Sequence, residues 1–130
     1  MAVVRTVVVD HVLFVVRDLQ ASRRFYTAAL EPLGFRVIHE QEDGINFGVE
    51  GADDFAVYQA KPGDATTHAA HVAFVAESPE AVDAFFSAAL GAGGRQKLRP
   101  GLRREYHGGY YGAFVYDPDG NNIEAVHHGS

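Results

Sequence analysis

The chain has 130 residues, enough for one compact domain and too few for two ordinary ones. Hydrophobic residues make up 47% and charged residues 22%, as in soluble globular proteins, and the formal net charge of -6 argues against binding to nucleic acid or to an anionic membrane. The chain contains no cysteine, which excludes disulfides, thiolate metal ligands and a cysteine nucleophile.

The first ten residues are rich in valine and carry only Arg5 as a charged residue before Asp10. They lack the long apolar stretch and small-residue cleavage site of a signal peptide, so they are interpreted as a strand. No apolar run approaches the roughly 18 residues that span a bilayer. We therefore expect a soluble, cytoplasmic protein.

A gap-free internal repeat appears when the chain is shifted by sixty residues against itself. The sequence His-Val-Leu-Phe-Val at 11–15 aligns with His-Val-Ala-Phe-Val at 71–75. Further identities follow in the same frame: Ala21, Phe25, Ala28, Ala29, Leu30 and Gly34 match Ala81, Phe85, Ala88, Ala89, Leu90 and Gly94. A repeat of this length indicates two copies of one structural unit inside a single core.

The first copy begins with a strand at 11–15, followed by a helix that starts near Asp18 and ends at Gly34. Apolar runs at 35–40, 45–49 and 55–60, separated by turn residues, then predict three strands. The unit is therefore βαβββ. Residues 7–60 form module one, and 61–67, with Pro62 and Gly63, form a linker.

The second copy, 68–128, repeats this order. Its strand at 71–75 precedes a helix signalled by Ser78-Pro79-Glu80, and the later strands are predicted at 96–98, 110–116 and 122–127. We predict an α+β fold in which the two tandem modules form one curved, partly closed mixed sheet with the helices outside. A ligand would occupy its concave face.

Two histidines, His11 and His71, occupy the same position in the two copies. Each lies near the start of a first strand and shares an alternating face with apolar residues. If the modules are related by pseudo-twofold symmetry, the two imidazoles face each other across the cup. The alternative is a pair of core histidines hydrogen-bonded to the backbone.

A carboxylate, Glu124, lies in the otherwise largely apolar last strand. Burial of a carboxylate without a cation or donors costs several kcal/mol, which a bound metal would offset. Alternatively, the last strand is an edge and Glu124 faces water. Together with His11 and His71, Glu124 makes a set that suits one divalent ion of Fe, Mn, Zn, Co or Ni and leaves positions open for substrate.

The segment 104–111 contains one histidine, three tyrosines and two glycines just before the penultimate strand. It suits a loop that covers the substrate, with His107 as general acid or base and Tyr110 or Tyr111 in the site. The alternative is a connection whose tyrosines pack on the sheet with their hydroxyls in water.

The duplicated His-Val-x-Phe-Val strands, the Phe25-Tyr26 and Phe85-Phe86 helices and the ending Asp117-Pro118-Asp119-Gly120-Asn121-Asn122-Ile123-Glu124 resemble the vicinal oxygen chelate superfamily. This superfamily includes glyoxalase I, fosfomycin-resistance transferases, methylmalonyl-CoA epimerase, extradiol dioxygenases and bleomycin-resistance proteins. The resemblance covers nearly the whole chain. It implies that His11, His71 and Glu124 bind the metal, and that two adjacent substrate oxygens chelate it.

Several positions depart from known members of this family. The fourth ligand of glyoxalase I is a Glu, and the sequence alignment puts Phe55 at that position. A shifted register would offer Gln59, since epimerases of the family use Gln. Extradiol dioxygenases carry a Tyr ten residues before the ligand Glu, where this chain has Phe114, and fosfomycin transferases carry a Thr where it has Leu13.

We therefore expect a metal-dependent, glyoxalase-like lyase or isomerase that acts on a small substrate with adjacent oxygens. One alternative is an Fe(II) extradiol-type dioxygenase. The other is a non-catalytic protein that binds a drug or metabolite, as the bleomycin-resistance proteins do. We also expect a homodimer, because members of this family commonly pair. The sequence leaves open whether the two modules of one cup come from one chain or from two.

Overall fold

The computed structural model describes residues 7–129 and shows the two repeats as two modules. Module one consists of β1 (Val12–Val16), α1 (Leu19–Leu30) with a 3-10 turn at Glu31–Leu33, β2 (Arg36–Gln41), β3 (Gly44–Val49) and β4 (Ala52–Gln59). Module two consists of β5 (His71–Val75), α2 (Pro79–Gly91), β6 (Arg95–Leu102), β7 (Tyr110–Tyr116) and β8 (Asn122–His128). The predicted βαβββ order and α+β class are confirmed.

Each module forms its own four-stranded sheet with the same strand order. Module one has the order β1-β4-β3-β2 and module two the order β5-β8-β7-β6. The first and last strands of each module pair in parallel, and the other pairs are antiparallel. The expected single sheet is therefore two mixed sheets, because every strand pair in residues 7–129 lies within one module.

One hydrophobic core joins the modules on the sides of the sheets that carry the helices. The aromatic side chains of Phe25, Tyr26 and Phe85 in the helices are fully buried there. The ring of Phe74, in β5 of module two, packs against the rings of Phe35 and Phe55 in module one, at centroid distances of 5.7 and 5.5 Å. We call the opposite side of each sheet its open face. Since both helix-bearing sides meet in the core, the two open faces lie on the outside of the chain.

The helices begin where the sequence indicated. Asp18 accepts hydrogen bonds from the backbone N-H groups of Gln20 and Ala21, and Ser78 accepts one from Ala81. Such caps supply partners for backbone donors that a helix leaves unpaired at its start. Each cap thereby fixes the point at which the chain turns from the first strand of its module into the helix.

The turn 117–121 links the second module to the first. The buried carboxylate of Asp117 accepts hydrogen bonds from the hydroxyl of Tyr26 and from the backbone N-H groups of Asp119 and Asn121. The side chain of Asn121 donates to the backbone oxygen of Thr67 in the linker. The acidic turn motif just before β8 is therefore a structural joint between the modules.

The sequence predicts a strand in the first ten residues, and the structure describes residues 7–10 of that segment. Residues 1–6 lie outside the described residues, and 7–10 form no strand. Within 7–129 no helix has the length and apolar character required to traverse a bilayer.

Candidate metal centre

Glu124 is the most deeply buried carboxylate near the open face of module two, with 1% of its surface exposed. Its strand, β8, lies between β5 and β7 and is not an edge. The alternative in which Glu124 faces water is therefore wrong. A carboxylate at this depth requires hydrogen-bond donors or a cation, because burial penalises its charged form.

His71 supplies one partner of that carboxylate. Its Nε2 lies 2.8 Å from Oε1 of Glu124, and its side chain is half-exposed. Since an ionised carboxylate only accepts hydrogen bonds, the tautomer of His71 that can donate to it is the one with its hydrogen on Nε2. The two side chains meet because β5 and β8 run parallel with Ala73 opposite Glu124, so that His71 and Glu124 lie on one face.

Tyr110 supplies the second partner, since its hydroxyl donates to Oε2 of Glu124. Burial raises the pKa of the Tyr110 phenol, and the hydrogen bond with Glu124 and the negative charge of that carboxylate raise it further. The phenol therefore keeps its proton throughout the neutral range and acts as a hydrogen-bond donor. The structure thus brings three of the predicted site residues together: His71, Tyr110 and Glu124.

His107 lies next to Tyr110. Its Nδ1 accepts a hydrogen bond from the backbone N-H of Gly109 at 3.1 Å, so its Nε2 carries the proton in the neutral ring. That Nε2 lies 2.9 Å from Nδ1 of His128 and donates to it. The ring of His107 packs edge-on against Tyr110 at 5.5 Å. His107 therefore borders the phenol, and within residues 7–129 it makes no hydrogen bond to Glu124.

Tyr111 points to the other side of β7, and its placement in the site is corrected. Its hydroxyl donates to Asp83 of α2 at 2.7 Å, and its ring packs on the hydrophobic core. Successive residues of a strand face opposite sides of the sheet. Tyr110 and Tyr111 therefore cannot both reach Glu124, and the hydrogen bonds show that Tyr110 does so.

His11 lies apart, at the open face of module one. It lines a concavity of about 300 Å³ together with Leu13, Asn46, Asp53, Ala56 and Tyr58. Its Nδ1 is 2.7 Å from Oδ1 of Asp10, and the side chain is 63% exposed. The hydrogen bond with Asp10, followed by the charge of Asp10, raises the pKa of this imidazole. Sequence reasoning missed Asp10, although an acidic residue directly before the histidine was a readable signal.

The expected facing of His11 and His71 across one cup is not found within a single chain. In the part of the chain that the structure describes, no group of three His, Asp or Glu side chains is close enough to hold a metal ion. The physical reason is the packing of the modules, since their helix-bearing sides form the common core and their open faces are separate. One chain presents His71 with Glu124 at one place and His11 at another.

The strand register corrects the position expected for a fourth ligand. In module two Ala73 pairs with Glu124, and in module one the equivalent Leu13 pairs with Ala56. The counterpart of Glu124 is thus Ala56, not Phe55, whose ring is buried against Phe14 in the core. Module one therefore places a methyl group where module two places its carboxylate.

The side-chain amide of Gln59 forms hydrogen bonds with the backbone on the helix-bearing side of the sheet. Its Oε1 accepts from the N-H of Leu19 at 2.9 Å, and its Nε2 donates to the carbonyl oxygen of Arg17 at 2.8 Å. These bonds tie the end of β4 to the start of α1. With both ends of its amide engaged there, Gln59 is not placed to bind a metal at the open face.

Comparison with known proteins places the chain among similar folds. A family model described as the Glyoxalase/Bleomycin resistance protein/Dioxygenase superfamily matches residues 8–125. A glyoxalase/bleomycin resistance protein from Albidiferax ferrireducens T118 is 35% identical, with 91% of this chain and 97% of that chain covered and a TM-score of 0.81. Curated proteins yielded no match.

More distant structures share the fold. A glyoxalase-related enzyme from Fulvimarina pelagi is 22% identical, with 92% of this chain and 86% of that chain covered and a TM-score of 0.72. The oxidase ChaP-H2 is 24% identical, with 96% of both chains covered and a TM-score of 0.65. At these identities the likeness shows the architecture alone.

Proposed function

Because the chain belongs to the glyoxalase/bleomycin resistance protein/dioxygenase superfamily, we propose that it is a divalent-metal enzyme, a glyoxalase-like lyase or isomerase acting on a small substrate with two adjacent oxygens. The observation that carries this proposal is the contact between His71 and the buried carboxylate of Glu124. An imidazole nitrogen and a carboxylate oxygen 2.8 Å apart are close enough to bind one ion together. Fe, Zn, Mn, Co and Ni all accept such ligands.

The third ligand in this proposal is His11 of a second copy of the chain. The open face of module one in one copy would cover the open face of module two in the other, giving a homodimer with two equivalent sites. Exposed apolar side chains on the two open faces support this pairing, since Leu13 is 46% and Val75 is 72% exposed. His11 is likewise exposed and turned toward an open concavity.

A bound divalent metal supplies Lewis-acid polarisation of substrate oxygens and stabilises negative charge that develops on them. The chain's own groups hold and move protons around that centre. His107 is the proposed general acid or base, because it is an exposed imidazole next to the Tyr110 ring. Tyr111 has no part in this site, since its hydroxyl is bound to Asp83.

The first experiment measures metal content after the protein is stripped with EDTA and reloaded separately with Fe, Zn, Mn, Co and Ni. We expect one ion per chain in the wild type and strong loss of occupancy in His11→Ala, His71→Ala and Glu124→Ala. His68→Ala is the matched control, because His68 is an exposed histidine just after the linker. Wild-type protein that binds none of the five metals would refute the proposal.

Mixing variants tests whether the site lies between two copies. A dimer of one His11→Ala chain and one Glu124→Ala chain keeps one complete site, made of the intact histidine of one chain and the intact pair of the other. Random exchange between equal amounts makes about half of the dimers mixed, so we expect mixing to restore about a quarter of the wild-type metal content. If mass spectrometry shows mixed dimers and no metal returns, the shared site is wrong.

Activity assays then separate the reaction classes. Isomerase or lyase activity on thiol adducts of 2-oxoaldehydes that depends on the reloaded metal would support the proposal. Oxygen uptake with catechols after anaerobic Fe(II) loading would instead identify a dioxygenase. Ligand binding that survives EDTA, without turnover of either substrate class, would identify a binding protein.

A further inference from the structure

Both oxygens of the Glu124 carboxylate have a protein partner, and the two partners differ in kind. Oε1 meets Nε2 of His71, which is a metal-ligand type of side chain. Oε2 accepts from the hydroxyl of Tyr110, a phenol whose ring is held in place by its neighbours. A divalent ion can take the place of the proton on His71, whereas the phenol holds its oxygen as a hydrogen-bond donor.

A glycine makes room for this second contact. Gly112 follows Tyr110 by two residues on the same face of β7 and lies beneath the phenol and the carboxylate. A Cβ at this position would stand 3.1 Å from Cε1 of Tyr110 and 3.2 Å from Oε2 of Glu124. Gly112 does not have a positive φ, so a larger residue here would act through these two close contacts and not through backbone strain.

Three neighbouring rings hold the Tyr110 ring in this orientation. Tyr106, His128 and His107 lie at centroid distances of 4.7, 5.3 and 5.5 Å from it. The two histidines are themselves joined by a hydrogen bond, and the backbone N-H of Gly109 orients His107. The phenol is therefore presented to Glu124 by a packed cluster, which lowers the entropy lost when its hydrogen bond forms.

We propose that Tyr110 is a positioning residue that keeps Glu124 a one-oxygen ligand, with Gly112 providing the space for the contact. This proposal rests on the proposed metal site. With Oε2 occupied by the phenol, only Oε1 would be free to bind an ion, so the three side chains would contribute one donor atom each. The coordination position that Oε2 would otherwise take would stay open, which would leave more room for the two adjacent oxygens of a substrate.

The test compares metal binding in Tyr110→Phe, Gly112→Ala and the control Tyr106→Phe. Tyr110→Phe keeps the ring and removes the donor, whereas Tyr106→Phe removes a hydroxyl from the same cluster. Co(II) affinity is measured by chelator competition, and the Co(II) visible spectrum reports the coordination number. We expect Tyr110→Phe to weaken binding by about 10- to 100-fold. Its visible bands should also lose intensity, because a second carboxylate oxygen raises the coordination number.

The outcomes distinguish this proposal from the one on which it rests. Wild-type affinity and spectrum in Tyr110→Phe, together with loss of metal in Glu124→Ala, would overturn the positioning role and leave the metal site intact. No Co(II) binding by the wild type would overturn both. Gly112→Ala should shift the spectrum in the same direction as Tyr110→Phe. A Gly112→Ala protein that folds and shows the wild-type spectrum would contradict the role given to Gly112.

Discussion

The two modules have matching helix-bearing sides and different open faces. On the helix-bearing sides Phe25 and Phe85 occupy equivalent positions, and both are fully buried. On the open faces the equivalent positions hold Ala56 in module one and Glu124 in module two. The two modules therefore share equivalent residues in the core, whereas the carboxylate of the candidate site is found at only one of the two equivalent positions.

This difference shows which constraints act on each side of a sheet. Residues facing the helices must fill a shared core at close-packed density, so a change of volume in either module is felt at once. Residues on the open faces lie outside that shared core, so fewer packing constraints act on them. The carboxylate of Glu124 lies where a histidine and a tyrosine both reach it.

We expect the largest change in stability from substitutions that test whether the two helix-bearing sides are equivalent. Phe25→Ala and Phe85→Ala should each lower the free energy of unfolding by about 3–5 kcal/mol, because each leaves a cavity at a fully buried ring. Urea denaturation followed by circular dichroism measures both. A loss below about 1 kcal/mol for one of them would show that the two sides are not equivalent.

Tyr26 and Phe86 are the equivalent positions that follow Phe25 and Phe85 in the two helices. We expect substitutions there to have smaller and unequal effects on stability. Tyr26 is fully buried and donates its hydroxyl to Asp117, whereas Phe86 is only partly buried. Tyr26→Phe leaves the buried carboxylate without one donor and should reduce the free energy of unfolding by about 1–3 kcal/mol. The reciprocal Phe86→Tyr should change it by less than about 0.5 kcal/mol. Equal effects would mean that the joint between modules is not specific to Tyr26.

The contribution of Tyr26 should also depend on pH. Burial, followed by the charge of Asp117, raises the pKa of this phenol well above its usual range in the folded protein. The unfolded phenol ionises above a pH of about 10, while the folded one keeps its proton. The stabilisation is therefore complete below that pH and is lost as the pH rises through the folded pKa. Urea denaturation above pH 10 should show the difference between wild type and Tyr26→Phe narrowing.

The smallest effect concerns the two helix caps. Asp18→Ala and Ser78→Ala should each lower the free energy of unfolding by about 1 kcal/mol, since each removes an acceptor for backbone N-H groups at a helix start. The same denaturation assay measures both. Asp18→Asn and Ser78→Thr are conservative controls that should retain most of the stability. A cap variant with wild-type stability would show that its helix start is fixed by packing alone.

The amino-acid sequence by itself determined the repeat, the βαβββ order and most element positions. These features depend on local signals: the alternation of apolar residues, the caps at Asp18 and Ser78 and the turn before β8. The sequence also identified His71, Tyr110 and Glu124 as candidates, because a carboxylate in an apolar strand and a paired histidine stand out in the residue pattern alone.

Only the tertiary structure decided which of these candidates meet. The pairing of β5 with β8 brings His71 to Glu124. The alternation of side chains along β7 places Tyr110, and not Tyr111, on the face of Glu124. The register between β1 and β4 makes Ala56, and not Phe55, the counterpart of Glu124. The separation of His11 from that pair follows from which sides of the two sheets pack together. Strand register and module packing arise from contacts between residues far apart in the chain, and a local residue pattern does not specify them.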